Sequence, residues 1–594
     1  MSTSTANASS NSEWFGHPPQ LARLFTVEMW ERFGFYGMRA VLTLYLTKHF
    51  VFGDNTANGL YGAFTSLVYL TPLFGGILAD RYLGYKHSVK LGAILMAIGY
   101  FGLCFGGKAG ETLLEFAGKS IPVVVVKGVD SSGKATKSQT VQFDDKTYRI
   151  EGQKDNSLKL IPDGAESISV AKSDFKFVGR RSAGYVSLMF LALSCIILGN
   201  GFFKPNITTI VGSLYSTDDP RRDSGFTVFY MGINIGAMLS QFVCPLLAEA
   251  YGGWAGFGLA ATGMLAAFLL IQFDGGRLDG YGEPPSEGGK YRVPIYIGAF
   301  LAVPVIWFLL NNTMLSTENI SEATDQAKGV VAYLYNLPIL GKLLFAIFMT
   351  AIIGIPIFAF STGTTEEALK MLTAIILVVF SVVFWTLFEQ AGSSLTLFAD
   401  RNTDRRIFGW EMPAGQVQVF NAIFIVLLAP VFSILWMWLG KRGLEPSTPV
   451  KFALALALVG LGFLSLVYGA KFADADYRVG LSWLILAYFI HSIGELCLSP
   501  VGLSMITRLS MVKIVGLMMG VWLLSSSVAQ YIAGVIAQFA SVETVGGEVT
   551  NPALALETYL GVFTTIGLVS IGFGVVLLVL SPFLNRMMRH TTVA

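Results

Sequence analysis

Apolar residues gather into fourteen runs along this chain, each about 20 residues or longer. Their approximate bounds are 21–49, 56–79, 86–107, 182–213, 224–250, 254–274, 293–311, 340–361, 368–398, 415–439, 450–470, 479–507, 513–540 and 557–585. A hydrocarbon core about 30 Å thick takes roughly 20 residues of helix. The pattern therefore predicts fourteen transmembrane helices, with both ends of the chain on one side. Two segments break the spacing. Residues 108–181 hold SIPVVVVKGVD, TVQFDDKTYRIEG, SLKLIPDG and SISVAKSDFKFVG, alternating β-branched runs parted by Gly, Asp and Ser turns. Such runs read as short strands, so a small β-rich extramembrane insertion is expected on the periplasmic side. Residues 276–367 open with a Gly/Pro-rich linker, GRLDGYGEPPSEGGKYR, and then carry two apolar runs. This segment separates six predicted helices from six.

Composition strengthens the membrane reading. Of 594 residues, 53% are hydrophobic and 13% charged, about half the charge of a soluble domain. Glycine, at 64 residues, suits closely packed membrane helices. A net charge of +2 gives no bulk attraction to nucleic acid. The four cysteines form no CxxC pair and the five histidines are scattered, so no metal constellation is legible. No GxxxxGK[ST] sequence occurs, which points to an ion gradient rather than ATP as the energy source. Lys and Arg favour cytoplasmic loops. Arg81, Lys86, Lys90, Arg221, Arg222, Lys441, Arg442, Arg508, Lys513, Arg586 and Arg589 fall on one side, which is expected to be cytoplasmic with both termini. Residues 1–20 lack a basic n-region and an apolar h-region and read as a cytoplasmic tail, not a cleavable signal. Arg401, Arg405 and Arg406 conflict with this orientation, because they lie on the opposite side.

Ionisable residues inside the spans carry the functional signal. A charge at mid-membrane costs about 2.5–3.5 kcal/mol on insertion scales, yet the first span holds Glu28, Glu31, Arg32 and Arg39. At about 100° per residue, these four and Tyr36 share one face, with Trp30, Phe33 and Gly34 on the other. That face is expected to look into a wet interior. Lys204, Glu389 and Glu495 are further interior charges. Intramembrane ions of this kind are functional candidates by default. His491, one turn before Glu495, reads more readily as a packed polar residue than as a proton relay.

The motifs resemble a known family. Residues 28–40, ExxERFGFYGMRA, are similar to the ExxERFxYYG signature of proton-dependent oligopeptide transporters, the peptide branch of the major facilitator superfamily. GILADRYLGYK (76–86) resembles the superfamily's GxxxDRxxGRR loop, with Tyr85 in place of one basic residue. GNGFFKPN holds Lys204, FYMGINIGA (229–237) resembles FYxxINxGS, FWTLFEQAGSSL holds Glu389, and GELCLSPVGLS (494–504) resembles the tenth-helix motif. Phe35 stands where the family often has its first tyrosine, and Ala422 follows Asn421 where the family has proline.

The resemblance implies an all-α major facilitator fold of two six-helix bundles with two extra helices between them. The parts expected are a tail at 1–20, an N-terminal bundle at 21–275 interrupted by 108–181, a linker with two helices at 276–367, and a C-terminal bundle at 368–594. It implies a proton-coupled importer of di- and tripeptides in the inner membrane. Tyr36, Arg39 and Lys204 would hold the peptide carboxylate. Glu495, with Asn234 and Asn421, would hold the amino terminus, and Tyr69 and Trp522 would line the cavity. Glu28, Glu31, Arg32 and Glu389 would couple protons. The expected partners are peptides and the lipid bilayer, with no nucleic acid, obligate protein partner or cofactor beyond the coupling proton. The alternatives are a proton-coupled transporter of nitrate or another small solute on the same fold, or a multidrug exporter. No nucleophile–base–orienter set is visible, so a membrane enzyme is disfavoured.

Overall fold

The structure is a computed structural model. It describes residues 13–129, 135–143, 146–155, 157–162, 166–216, 219–278, 280–285, 288–323 and 336–589. The tail expected at 1–20 thus lies, over 1–12, outside the described residues. Among the described residues, fourteen helices have 19 residues or more. They are α1 (Gln20–Leu44), α2 (Asp54–Leu78), α3 (Tyr85–Leu103), α4 (Ala183–Ser213), α5 (Arg222–Tyr251), α6 (Gly253–Gln272) and α7 (Arg292–Ala323). There follow α8 (Ile339–Thr362), α9 (Thr365–Phe388), α10 (Val419–Lys441), α11 (Thr448–Gly469), α12 (Leu481–Leu509), α13 (Val515–Phe539) and α14 (Pro552–Arg589). Twelve are long and apolar enough to cross a membrane. The other two, α1 and α3, are diluted by the interior charges of α1 and by Lys86, His87 and Lys90 at the start of α3.

Small residues bring helix backbones together. The most extensive helix contacts are α3 with α4, α1 with α5, α11 with α14, and α2 with α13. A side chain on Gly62 would meet the Cα of Gly534 at 2.7 Å. Pro205 inside α4 removes the amide that would bond the Gly201 carbonyl, and that carbonyl rests against Gly75 of α2, where any side chain would collide. Such prolines survive in membrane helices because neighbouring elements accommodate the freed backbone.

Two spans differ from the apolar pattern. The run expected at 368–398 is not one helix. α9 stops at Phe388, a 3-10 turn covers Glu389–Gly392, and a short helix runs Ser394–Arg401. Helical continuation is lost at Ser393, with φ −123° and ψ −98°, beside the Gly392 carbonyl that Thr43 claims at 2.6 Å. A hydropathy run over 368–398 does not show such a break, because Leu395, Leu397 and Phe398 continue the apolar run past Ser393. In the other direction, α7 runs past the expected end at 311 to Ala323. Its polar last turns are useful outside the bilayer, where Glu318 pairs with Arg181.

The insertion is an antiparallel seven-stranded sheet: β1 (Glu111–Phe116), β2 (Lys119–Val129), β3 (Ala135–Phe143), β4 (Lys146–Gly152), β5 (Leu158–Pro162), β6 (Ile168–Val170) and β7 (Phe175–Arg180). The strand order is β6-β5-β4-β3-β2-β1-β7. Leu114, Ile121, Val141, Tyr148, Ile150, Leu158, Leu160, Val170 and Phe175 form its own core. The sequence pattern missed β1. The turn after it, Ala117-Gly118, has φ values of 53° and 74°, the left-handed geometry that suits a two-residue hairpin.

Candidate functional site

α1 supplies the centre of the site. Arg32 Nη2 donates to Glu31 Oε1 at 2.6 Å, its Nε contacts Glu31 Oε2, and Nε lies 3.5 Å from Glu28 Oε1. The Arg32 guanidinium also sits 5.2 Å over the Phe35 ring, so the phenylalanine in the tyrosine position packs on this charge. Two turns along α1, Arg39 Nη2 pairs with Glu389 and its Nε donates to Tyr61 Oη at 2.5 Å. The Arg39–Glu389 pair reaches from α1 to the turn after α9, 350 positions away in the chain. Glu28, Glu31, Arg32, Arg39 and Glu389 are 0–7% exposed. The wet face expected for α1 is therefore a dry one at these positions. Pairing takes the place of water for most of these charges, but two acids share Arg32 and Glu28 Oε2 is left buried without a hydrogen-bond partner.

A second set keeps part of its surface open. Tyr36, Tyr69, Lys204, Asn234, Asn421, Glu495 and Trp522 are all half-buried. Lys204 Nζ lies 4.9 Å over the Tyr69 ring, rather than in an ion pair with Glu28 or Glu31. Asn421 Nδ2 donates to Glu495 Oε2 at 3.1 Å and to Ser492 Oγ at 3.0 Å. Asn234 does not join Glu495, since its amide donates to the Tyr230 carbonyl of its own helix at 3.0 Å. Trp522 packs over Gly502, where a side chain would collide with its ring. His491 is a packed residue. Its Nε2 is 3.1 Å from the Val459 carbonyl, and its ring lies 4.8 Å from that of Phe463.

On the insertion side the first six helices and the last six are sealed together. Asn58 Nδ2 donates to the Ala537 carbonyl at 3.0 Å, and Ser66 meets Ser527 at 2.9 Å. Lys48 pairs with Asp400 at 2.6 Å. Arg401 grips Asp54 with both terminal nitrogens, one at 2.6 Å, and donates to Tyr559 at 3.1 Å. Both charged side chains of that pair are fully buried. These contacts account for the basic cluster that conflicts with the charge pattern. Arg401 belongs to the seal, Arg405 is held by Glu411 at 3.0 Å and by the Met412 carbonyl, and Arg406 by Asp404 at 2.9 Å. Sequence reasoning missed Tyr61, Thr43 and Asp54. Asp54 lies between two apolar runs and Tyr61 within one, and only the fold puts them opposite Arg401 and Arg39.

The Arg39–Glu389 pair thus joins the first helix of the first half to the end of the first helix of the second. Residues 87–551 match the POT family. This chain belongs to the POT family. Its members are transporters, not enzymes. A peptide transporter of Yersinia enterocolitica is 31% identical, over all of this chain and 99% of its own length. Dipeptide and tripeptide permease B of Salmonella typhimurium is 29% identical, covering 96% of each chain. Among solved structures, a peptide transporter POT in complex with sulfate matches with a TM-score of 0.71 at 28% identity, over 98% of this chain and 97% of its own. A POT family transporter in complex with a thioalcohol-conjugated peptide matches with a TM-score of 0.67 at 26% identity, over 96% and 98%. The chain is thus a membrane transporter with the helical fold of these proteins, and it carries a β-rich insertion between α3 and α4.

Proposed function

We propose that this transporter is a proton-coupled importer of di- and tripeptides in the inner membrane, working by alternating access between two six-helix halves, residues 21–275 and 368–594. The termini face the cytoplasm and the insertion faces outward. The relatives named for peptide transport support the substrate class. The observation that carries the mechanism is the Arg39–Glu389 pair, the buried charge contact between α1 and the turn after α9. A proton on Glu389 removes the anion that holds Arg39. It weakens the outer contact between halves and frees Arg39 for a substrate carboxylate. The proton shifts the equilibrium only because it binds the two arrangements with different affinity.

A dipeptide is a zwitterion, and buried Arg39 with the half-buried residues offers it opposite charges. Arg39 and Lys204, with Tyr36, take the carboxylate from the first half. Glu495, oriented by Asn421, takes the ammonium from the second, and Asn234 completes that end. Tyr69 and Trp522 form apolar walls that tolerate varied side chains. Glu28, Glu31 and Arg32 act with Lys204 as the proton-linked network behind the site. No cofactor takes part. Nitrate or another anion would use Arg39 and Lys204 but leave Glu495 without a role. Uptake into proteoliposomes under an imposed pH gradient tests the reading: dipeptides and tripeptides accumulate and nitrate does not. Nitrate accumulation without peptide uptake would overturn it.

A further inference from the structure

We propose that the β-rich insertion is a releasable strap that holds the two halves together on its side of the membrane and favours the arrangement seen here. The proposal rests on the alternating-access reading above. One end of the sheet belongs to the first half. It grows from α3 and returns to α4. Gly110 N donates to the His49 carbonyl at 2.6 Å, and Arg181 lies 4.1 Å over the Phe52 ring in the α1–α2 connection.

The same sheet also grips the second half, through β1 to β4, at the connection between α13 and α14. That connection is a small hairpin, Thr544–Val545 paired with Glu548–Val549, turned by Gly546 and Gly547 at φ 61° and 78°. The buried side-chain amide of Gln139 in β3 donates to three carbonyls of this hairpin: Glu548 at 3.0 Å, Val549 at 3.2 Å and Val545 at 3.4 Å. Gly546 N donates to Thr112 Oγ1 of β1 at 3.1 Å. Gly152 N donates to the Thr550 carbonyl at 3.0 Å, and Asn551 Nδ2 returns a bond to the Gly152 carbonyl at 2.9 Å. Lys172 pairs with Glu543 at 2.5 Å.

The hairpin tip is shaped for this seat. A side chain on Gly546 would meet Val125 of β2 at 2.7 Å, and one on Gly547 would meet Lys48 of the first half at 2.9 Å. The tip is wedged between the sheet and the segment that follows α1.

A sheet cross-linked by its own ladder, with its own core, does not stretch. Parting the halves on this side must therefore break one of its two attachments. The attachment to the first half includes the covalent chain. The hairpin contacts are side-chain and backbone hydrogen bonds that water can replace, so they are the ones that release. The strap must let go once in every transport cycle.

A side chain on Gly152 would place its Cβ 3.1 Å from Thr550 Cβ, closer than the roughly 3.5–4.5 Å of a disulfide, so a small outward shift of this strand end brings the pair into bonding range. The double variant Gly152→Cys/Thr550→Cys, oxidised in proteoliposomes, should lose at least about tenfold in dipeptide uptake and regain it on reduction, with each single variant unaffected. A fully cross-linked protein that transports as fast as its reduced form would overturn the strap. No dipeptide uptake by the parent would count against the peptide reading instead.

A second measurement approaches from the other direction. Thr112→Ala/Gln139→Ala, spin-labelled at Tyr251→Cys and Phe472→Cys in a background lacking the native cysteines, should show a several-fold larger population of long inter-half distances than the same labels without those two changes. Equal distance distributions would overturn the proposal even if the disulfide variant folds poorly.

Discussion

The ionisable residues of this transporter fall into two groups that the sequence does not distinguish. Glu28, Glu31, Arg32, Arg39 and Glu389 are buried and joined to one another. Lys204 and Glu495 are half-buried, and each meets a neutral partner, Tyr69 or Asn421. A buried pair that loses one member leaves a stranded charge, whereas a half-exposed group keeps water and can exchange it for a ligand. On the proposed mechanism the first group carries the proton-linked change, and the second, with Arg39, holds the substrate.

The sharpest test of that division is Glu389→Gln. Accumulation of peptide driven by a pH gradient should disappear, while counterflow exchange of labelled peptide at equal pH persists. Full accumulation by this variant would move Glu389 out of the coupling group. Arg401→Ala probes the seal rather than the switch. It strands Asp54 at a fully buried position, and breaking a buried pair typically costs about 3–5 kcal/mol. The expected result is a large drop in thermal stability in nanodiscs, partly recovered by the charge swap Asp54→Arg/Arg401→Asp. An unchanged melting temperature would show that this pair contributes nothing net.

Glu495→Gln separates the open group from the closed one. Truncating one member of a buried, substrate-filled charge pair costs about 2–5 kcal/mol, roughly 30-fold or more in affinity. Dipeptide binding should weaken by that factor and binding of an N-acetylated dipeptide much less, since it has no ammonium. Equal losses would place Glu495 with the coupling residues. The smallest effect is expected from Tyr61→Phe. It removes one hydrogen bond to a charged group, worth about 1.5–3 kcal/mol at most, and leaves the Arg39–Glu389 pair. Gradient-driven accumulation should fall several-fold with counterflow nearly intact. A wild-type level of accumulation would mean that Tyr61 only fills space.

The helices were legible because a bilayer demands apolar runs of fixed length, and the strands of the insertion because β-branched alternation is local. The charged residues of α1 were legible for the opposite reason, as each violates the apolar rule. What stayed hidden depends on long-range partners. Tyr61 is an unremarkable aromatic in α2 until Arg39 reaches it, and Asp54 is a loop-edge acid until Arg401 arrives from nearly 350 positions away. The break at Ser393 was hidden because backbone geometry, not hydropathy, ends that helix. The dryness of the α1 face could not be read from a helical wheel, which shows which residues share a side but not what covers them.

The contact of Gly62 with Gly534 has a mechanical meaning. Neither residue has a side chain to interlock, so the backbones of α2 and α13 touch there, and a turn about that point has to break the hydrogen bonds one helical turn to either side, Asn58 to Ala537 and Ser66 to Ser527. At 1.5 Å per residue, Gly62 lies about 12 Å from the Asp54 end of α2 and about 24 Å from the Leu78 end. A rotation about that point swings the far end through about twice the arc of the near end. On the proposed alternating-access cycle the lever is unequal: a modest parting beside the insertion would go with a wider movement at the opposite mouth.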